Sequence, residues 1–268
     1  MRMTHKKILA MILAFITLTG SVVHAESTAP VAENMELTTY RNTSVGGRMS
    51  AVAARGSTLQ YTVTTEPTKG TLDVSQDGHF IYTPNANKKG RDYFGYKAVD
   101  ENGTESQEAT VIIHIQRKTP AIRYTDTQGL GCDYAASVLA ERDIFTGIQV
   151  GGAFYFHPEE TMTQNEFVSM CMALCEVSDS SALTVKDSAL LTYGDAAVIL
   201  NDLLNIAPVS CMAADGFTDT NVESLQAISN LISCGILPVD AVDMTLPLRR
   251  DEASNMLLRA AGILDARK

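Results

Sequence analysis

The chain has 268 residues, a length that suggests one or two domains. It carries 31 acidic and 21 basic residues, for a formal net charge of −10 at pH 7. This balance argues against a nucleic-acid-binding protein, which needs a basic face to meet the phosphates.

Residues 1–25 have the pattern of a secretory signal peptide. Arg2, Lys6 and Lys7 form a positive start, residues 8–18 are almost uninterrupted apolar sequence, and Ala25 is a small residue at the expected cleavage site. The apolar run of about 11 residues is too short for a bilayer, which needs roughly 20. We therefore predict an exported protein without a transmembrane span in the mature chain.

The next part of the chain has the texture of a β-domain. Residues 26–36 are small and polar, which predicts a flexible N-terminal segment. Residues 37–116 are rich in Thr, Val and Tyr, alternate in polarity as at 110–115, and contain frequent turn signals. Asp77 and Gly78 lie between two such runs and predict a β-hairpin. Short strands separated by regular turns are typical of a β-sandwich.

The pattern changes after a short linker at residues 117–120. Alanine and leucine become more frequent over 121–265, and the apolar residues take a helical period. We predict a multidomain protein, all-β and then all-α, in which few core contacts cross the linker. Three amphipathic helices are expected over residues 167–174, 196–203 and 253–260.

These three helices begin alike. Thr163 and Glu166 have the spacing of a capping box, in which each side chain bonds to the other residue's backbone amide. Thr192 and Asp195 repeat it, although the shorter Asp195 should close its box less well. Glu252 stands at the same place in the third helix. Three such starts indicate an internal repeat.

Residues 37–116 resemble a bacterial immunoglobulin-like or cadherin-like domain. The stretches that carry the resemblance are 78–84, 90–96 and 99–103. Related modules act as spacers or adhesive units on cell surfaces. Some bind calcium, but here Asp100, Glu101 and Asn102 supply only a partial cluster, and Arg55 occupies the opposing loop. We therefore expect no calcium site.

The helical half is similar to S-layer homology repeats. Its three copies are expected at about 121–176, at 177–210 in truncated form, and at 211–265. The family has an aromatic-x-Asp start, a Phe-x-Pro segment and a capped helix start. In the first copy these are Tyr124-Thr125-Asp126, Phe156-His157-Pro158 and Thr163-Gln164-Asn165-Glu166. The third copy keeps the aromatic-x-Asp start as Phe217-Thr218-Asp219 and the helix start as Arg249-Arg250-Asp251-Glu252. The resemblance implies a pseudo-threefold unit that binds cell-wall polysaccharide in grooves between repeats.

The resemblance also implies which residues would contact the polysaccharide: Arg250, Asp219, Asp126 and Gln164. The family's motif arginine is kept only as Arg250, and the chain has no tryptophan. An alternative for Arg250 is structural, because a long cationic side chain can cover apolar surface or pair with a nearby acid.

No catalytic or metal-binding motif appears. The sequence has no nucleophile elbow, phosphate loop or His-x-x-x-His or Cys-x-x-Cys pair. Cys171 and Cys175 would share a helix face, where they fit small buried apolar residues better than zinc ligands. Disulfides between distant cysteines remain possible, although five cysteines cannot all pair.

We therefore predict a secreted, non-catalytic bacterial cell-surface protein without cofactor or metal. Its repeats would attach to cell-wall polysaccharide or a peptidoglycan-linked glycan, and its β-domain would be displayed outward, where other surface proteins could bind. The alternative is an envelope scaffold that has lost glycan binding, and the third candidate is an envelope hydrolase.

Overall fold

The computed structural model describes residues 29–54, 57–177, 189–209, 222–237 and 243–268. The predicted signal peptide, Arg55 and Asp219 lie outside the described residues. Among the helices that are described, none combines the length and apolar character needed to cross a membrane.

The N-terminal half is a β-domain with two main sheets. One sheet has four strands in the order β2-β9-β8-β5, and the other has three in the order β3-β7-β6, while β1 pairs with β4. The strands are β1 (Val31–Ala32), β2 (Met35–Tyr40), β3 (Val45–Arg48), β4 (Ala51–Val52), β5 (Gln60–Thr65), β6 (Gly70–Val74), β7 (His79–Pro84), β8 (Gly90–Val99) and β9 (Ala109–Gln116).

Alternating side chains from both sheets form the β-domain core. Phe80 and Tyr82 of β7 and Phe94 and Tyr96 of β8 are all buried. The rings of Phe80 and Phe94 pack edge to face with centroids 5.0 Å apart. The predicted hairpin joins β6 to β7, and its Gly78 takes a φ of 88°, a value that favours glycine.

The β-domain begins earlier than the sequence predicted. Residues 31–36, assigned to a flexible segment, instead include β1 and the start of β2, which pairs in parallel with β9. The Asn34 side chain accepts a hydrogen bond from the amide of Thr110 at 2.8 Å. The amide of Glu33 donates to the carbonyl of Ser50. Polar residues thus order this segment through long-range pairing, which local composition does not reveal.

Five helices and a small hairpin make up the described part of the C-terminal half. They are α1 (Asp133–Glu141), β10 (Ile148–Val150), β11 (Ala153–Tyr155), α2 (Gln164–Cys175), α3 (Tyr193–Leu204), α4 (Val222–Ser233) and α5 (Arg250–Arg267). The three helices predicted from apolar spacing lie within α2, α3 and α5, and their buried faces share one core.

A closed set of backbone hydrogen bonds joins the starts of α2, α3 and α5. Met162, Leu191 and Leu248 each lie two residues before a helix, and each is at most 1% exposed. Met162 donates to the carbonyl of Leu248, Leu248 to Leu191, and Leu191 to Met162, at 3.2, 2.8 and 2.8 Å. We call this the backbone ring. Each helix start is therefore held by both of the others.

A second set of bonds surrounds the backbone ring. The first residue of each helix donates its amide to the carbonyl oxygen four residues before the start of the next helix. These bonds run from Gln164 to Ala189, from Tyr193 to Leu246 and from Arg250 to Glu160, at 3.0, 3.2 and 2.8 Å. The three helix starts thus have the same backbone environment.

Capping boxes fix the starts of α2 and α3. The carboxylate of Glu166 accepts from the amide of Thr163 at 2.8 Å, and the amide of Glu166 donates to the threonine hydroxyl at 3.3 Å. The Thr192 and Asp195 bonds are both 3.1 Å. Contrary to expectation, the shorter acid closes its box as well as the longer one. At α5, Glu252 accepts from the amide of Arg249 at 3.0 Å.

The two halves of the chain contact each other around α1. The sequence predicted few core contacts across residues 117–120, but Tyr134 packs against the core of the β-domain. The ring of Tyr134 also meets Tyr40 edge to face, with centroids 4.9 Å apart. Ser44 donates to the carbonyl of Leu130 and to the carboxylate of Asp133. These contacts dock α1 onto the β-domain.

Candidate functional site

Asp126 organises the chain segment that follows β11. Its carboxylate accepts hydrogen bonds from the amides of Phe156 and His157 at 2.8–3.1 Å. The ring of Tyr124 packs on Phe156 with centroids 5.2 Å apart, and both rings are fully buried. The structure therefore uses the Asp126 carboxylate to hold the 156–157 segment in place.

Arg250 joins the start of α5 to the segment after β11. Its Nη1 donates to the carbonyls of Phe156 and His157 at 2.8 and 3.1 Å and lies 3.0 Å from a carboxylate oxygen of Glu160. The guanidinium lies 5.2 Å from the ring centroid of Phe145. This geometry corresponds to the structural alternative for Arg250, pairing with a nearby acid.

The Arg250 guanidinium is buried, with only 8% of the side chain exposed. Its Nε is also buried and has no hydrogen-bond partner among the described residues. A buried donor without a partner is unusual in folded proteins. Removing the side chain would leave two backbone carbonyls without their cationic donor, so Arg250 contributes to the contact between α5 and the 156–157 segment.

Gln164 and Tyr193, which begin α2 and α3 as Arg250 begins α5, also lie at contacts between helix starts. Gln164 is 9% exposed, and its backbone is part of the outer set of bonds. Tyr193 is half-buried. Burial, together with a hydrogen bond to Glu252, raises the pKa of its phenol well above the ordinary value. Of the four residues predicted from sequence to contact polysaccharide, the structure describes Arg250, Asp126 and Gln164. Asp219 lies outside the described residues.

Partly exposed polar and aromatic groups lie beside the Arg250 contact. The rings of Tyr155 and His157 stack with centroids 6.0 Å apart and planes 24° apart. Arg249 has 45% of its side chain exposed, and its guanidinium binds the carboxylate of Asp251 at 2.5 and 3.2 Å. We call Tyr155, His157, Arg249 and Glu160 the groove residues.

Sequence reasoning missed all four groove residues. No signal marks Tyr155 and His157 as a pair, because His157 takes a left-handed φ of 56° that strand alternation does not predict. The pKa values of two nearby acids shift in opposite directions. Burial raises the pKa of Asp251, against the effect of Arg249, whereas a backbone hydrogen bond from Thr163 lowers the pKa of Glu166.

The structure also shows the environment of the calcium and cysteine candidates considered from the sequence. Asp100, from the partial calcium cluster, accepts from the amides of Asn102 and Thr104 at 2.9 and 2.7 Å and so stabilises its own turn. Over the described ranges, no three His, Cys, Asp or Glu side chains are grouped to hold a metal ion. Cys171 is buried, and burial raises the pKa of its thiol.

Residues 27–117 match the family model of the bacterial cadherin-like domain. The N-terminal domain is therefore cadherin-like, as its sequence resemblance predicted. No curated protein matches the chain.

Several solved structures are similar to part of the chain. A variant of an endo-fucoidan hydrolase from glycoside hydrolase family 107 is 18% identical over 35% of this chain and 14% of its own, with a TM-score of 0.29. Drosophila N-cadherin EC1-4 is 16% identical over 36% of this chain and 28% of its own, with a TM-score of 0.29. The fibronectin(III)-like modules of Clostridium thermocellum CbhA are 14% identical over 33% of this chain and 47% of their own, with a TM-score of 0.24. The chain thus spans less than half of each.

Proposed function

We propose that this protein is a secreted, non-catalytic component of a bacterial cell surface. Its helical half is a degenerate, pseudo-threefold set of S-layer-homology-type repeats that attaches to cell-wall polysaccharide. The cadherin-like domain is displayed outward as a spacer or adhesive unit. The observation that carries the proposal is the backbone ring of Met162, Leu191 and Leu248.

The backbone ring supports three equivalent copies for a geometric reason. Three segments that exchange equivalent hydrogen bonds in a closed cycle are related by an approximate threefold axis. The outer set of bonds also closes a threefold cycle, in which donors and acceptors follow one another in the opposite sense. The shortened second copy keeps its place because its helix start supplies both sets, and the boundary between the first and third copies then forms the groove.

The groove residues supply the chemistry that a wall glycan requires. His157, whose side chain is 38% exposed, and its stacking partner Tyr155 offer aromatic surface for the apolar face of a sugar. Arg249 and Glu160 add a donor and an acceptor with more than two fifths of each side chain exposed. In this proposal Arg250, Asp126 and Gln164 act mainly by shaping the groove, and Arg249 takes the direct contact expected of the motif arginine.

The second candidate is an envelope scaffold whose repeats no longer bind glycan. Two observations favour it. The Nη1 of Arg250 is fully used inside the protein, and the chain has no tryptophan to stack on a sugar ring. In this case the groove would bind another envelope protein or serve only to hold the copies together.

Co-sedimentation with purified cell-wall sacculi tests the proposal. The unmodified protein should sediment with sacculi, and Arg249→Ala should weaken binding by tenfold or more, because a charge-assisted hydrogen bond is worth about 1.5–3 kcal/mol. Arg91→Ala, which removes an exposed arginine from the β-domain, is the matched control and should bind normally. If the unmodified protein stays in the supernatant, the scaffold is the better account.

A further inference from the structure

Exposed cations gather at one end of the β-domain, where the linker begins. The segments 85–89 and 117–123 contain five basic residues and no acidic one, although the whole chain has a net charge of −10. All five of these residues are exposed. We call them the basic end: Lys88, Lys89, Arg117, Lys118 and Arg123.

The strand register brings the two segments to the same end of the sheet. Gly90, the first residue of β8, pairs with Ile115, and Gln116 at the end of β9 pairs with Tyr40 at the end of β2. Residues 88–89 and 117–118 therefore project from neighbouring strands, which lie about 4.8 Å apart in a sheet. The basic end thus begins as a row of cations across adjacent strand ends.

The turn after β2 ties the two segments to each other. Oδ1 of Asn42 accepts from the amide of Asn87 at 2.7 Å, and its carbonyl oxygen accepts from Nη2 of Arg123 at 3.5 Å. The amide of Arg41 donates to the carbonyl of Lys118 at 3.1 Å. These bonds position both segments and use only one side-chain donor of the basic end.

Most of this positive charge has no counter-charge among the described residues. Lys118 pairs with Glu141 at 2.6 Å, but the other four cations have no carboxylate within 4.0 Å in the described part of the chain. Asp133, which lies near Arg123, is buried and accepts from Thr127. Like charges that lie close together destabilise the native state, so the fold itself gives no reason for this cluster. A bound anion would remove the repulsion.

The basic end suits a linear anion of moderate charge density. None of the large exposed apolar residues of the described structure lies in either segment, so these segments offer no apolar side chain to insert into a membrane. Double-stranded DNA carries a charge about every 1.7 Å, a density that the acidic remainder of this chain would repel. An acidic polysaccharide carries its carboxylates one or a few sugars apart, so single charges can meet cations on neighbouring strand ends.

We propose that the basic end binds a strand of acidic polysaccharide, whose carboxylates contact Lys88, Lys89 and Arg117. This inference rests on the adhesive role proposed for the cadherin-like domain and names its partner. The surface includes none of the groove residues. Arg91 also lies outside it, on the outward face of β8, because the adjacent Asp92 is buried and successive side chains of a strand point to opposite faces.

Binding of the full chain to immobilised polygalacturonate, measured by biolayer interferometry, provides the test. The unmodified protein should bind at low ionic strength, should dissociate at high ionic strength because salt screens exposed charges, and should not bind dextran, which is neutral. The double variant Lys88→Gln/Lys89→Gln should lose tenfold or more in affinity. Both lysines are in an exposed loop, so this variant should keep the fold.

The matched control removes two cations from the opposite end of the β-domain. Arg48 ends β3 and pairs with His79, beside the hairpin at Gly78, and Lys97 lies near the end of β8. Arg48→Gln/Lys97→Gln changes the net charge by the same amount and should bind polygalacturonate within twofold of the unmodified protein.

Two results would overturn the basic end as a binding surface: no binding to polygalacturonate at low ionic strength, or equal affinities of the two double variants. Tighter binding to a DNA duplex or to phosphatidylglycerol vesicles than to polygalacturonate would overturn the choice of a polysaccharide as the partner.

The same variants separate this proposal from wall attachment. Lys88→Gln/Lys89→Gln should still sediment with sacculi, and Arg249→Ala should still bind polygalacturonate. Sedimentation without polygalacturonate binding would refute the basic end alone. Polygalacturonate binding without sedimentation would refute wall attachment alone.

Discussion

The amide of Gly46 donates to the carbonyl oxygen of Gly131 at 2.9 Å, so that the β-domain and the segment before α1 touch backbone to backbone. A Cβ atom on Gly46 would lie 2.9 Å from the Cα of Gly131, and one on Gly131 would lie 3.1 Å from the Cα of Gly46. Because the opposing atoms belong to the backbone, no change of rotamer can relieve the overlap. Both glycines are required for the halves to dock as they do.

Gly46→Val should therefore lower the free energy of unfolding by about 1–3 kcal/mol, the usual effect of overpacking a close contact. Urea denaturation followed by circular dichroism measures this change. Gly262→Ala, in the open space beside α5, is the control and should be at least as stable as the unmodified protein. Equal stability of Gly46→Val would show that the two halves do not dock through this contact.

The adjacent arginines at the start of α5 should differ in their effect on stability. Arg250→Ala removes a buried donor from two carbonyls and an acid, and hydrogen bonds to charged groups contribute about 1.5–3 kcal/mol each. We expect a loss of at least about 2 kcal/mol. Arg249→Ala breaks an ion pair at the surface and should cost less than about 1 kcal/mol. Denaturant midpoints of the two variants measure the difference, and equal losses would contradict the burial of Arg250.

Asp92 should make the β-domain sensitive to acid. Burial alone would raise the pKa of this carboxyl, but hydrogen bonds from the amides of Thr68 and Lys69 and the hydroxyls of Thr68 and Tyr82 hold it below the ordinary value. The stability that Asp92 contributes is complete above the unfolded pKa of about 4 and is lost as the pH falls through the lower folded value. The free energy of unfolding, measured from pH 7 to pH 2, should fall less steeply in Asp92→Asn.

Asp133 should have the opposite pH dependence. It is buried where α1 meets Ser44, and burial raises its pKa despite a hydrogen bond from Thr127 at 2.7 Å. The native state therefore keeps this proton to a higher pH than the unfolded chain does. Stability falls as the pH rises from about 4 through the raised value. Asp133→Asn should gain stability relative to the unmodified protein between pH 4 and pH 7, and a relative loss would refute the raised pKa.

Periodicity and local capping account for the parts of the structure that the sequence could predict. Thr163 and Glu166 act on each other within one helical turn, so their capping box can be inferred from spacing alone. The burial of Phe80 and Tyr82 follows from strand alternation in the same way.

Pairings between distant segments account for what could not be predicted. Nothing near Asn34 in the sequence indicates that its side chain binds the amide of Thr110. The sequence motif predicts that Arg250 is a ligand-binding arginine. Its structural role depends on the carbonyls of residues 156 and 157, which are more than 90 residues away in the chain.

The backbone ring also determines when the helical half can fold. Met162 and Leu191 each need Leu248, which lies close to the C-terminus, and contacts of large sequence separation form late because the loop entropy must be overcome first. The cadherin-like domain needs no residue from the backbone ring for its own core and can assemble while the rest of the chain is still being synthesised. The helical half must wait until α5 has been synthesised, so a protein truncated before α5 would have a folded β-domain beside helices that lack the closed backbone ring.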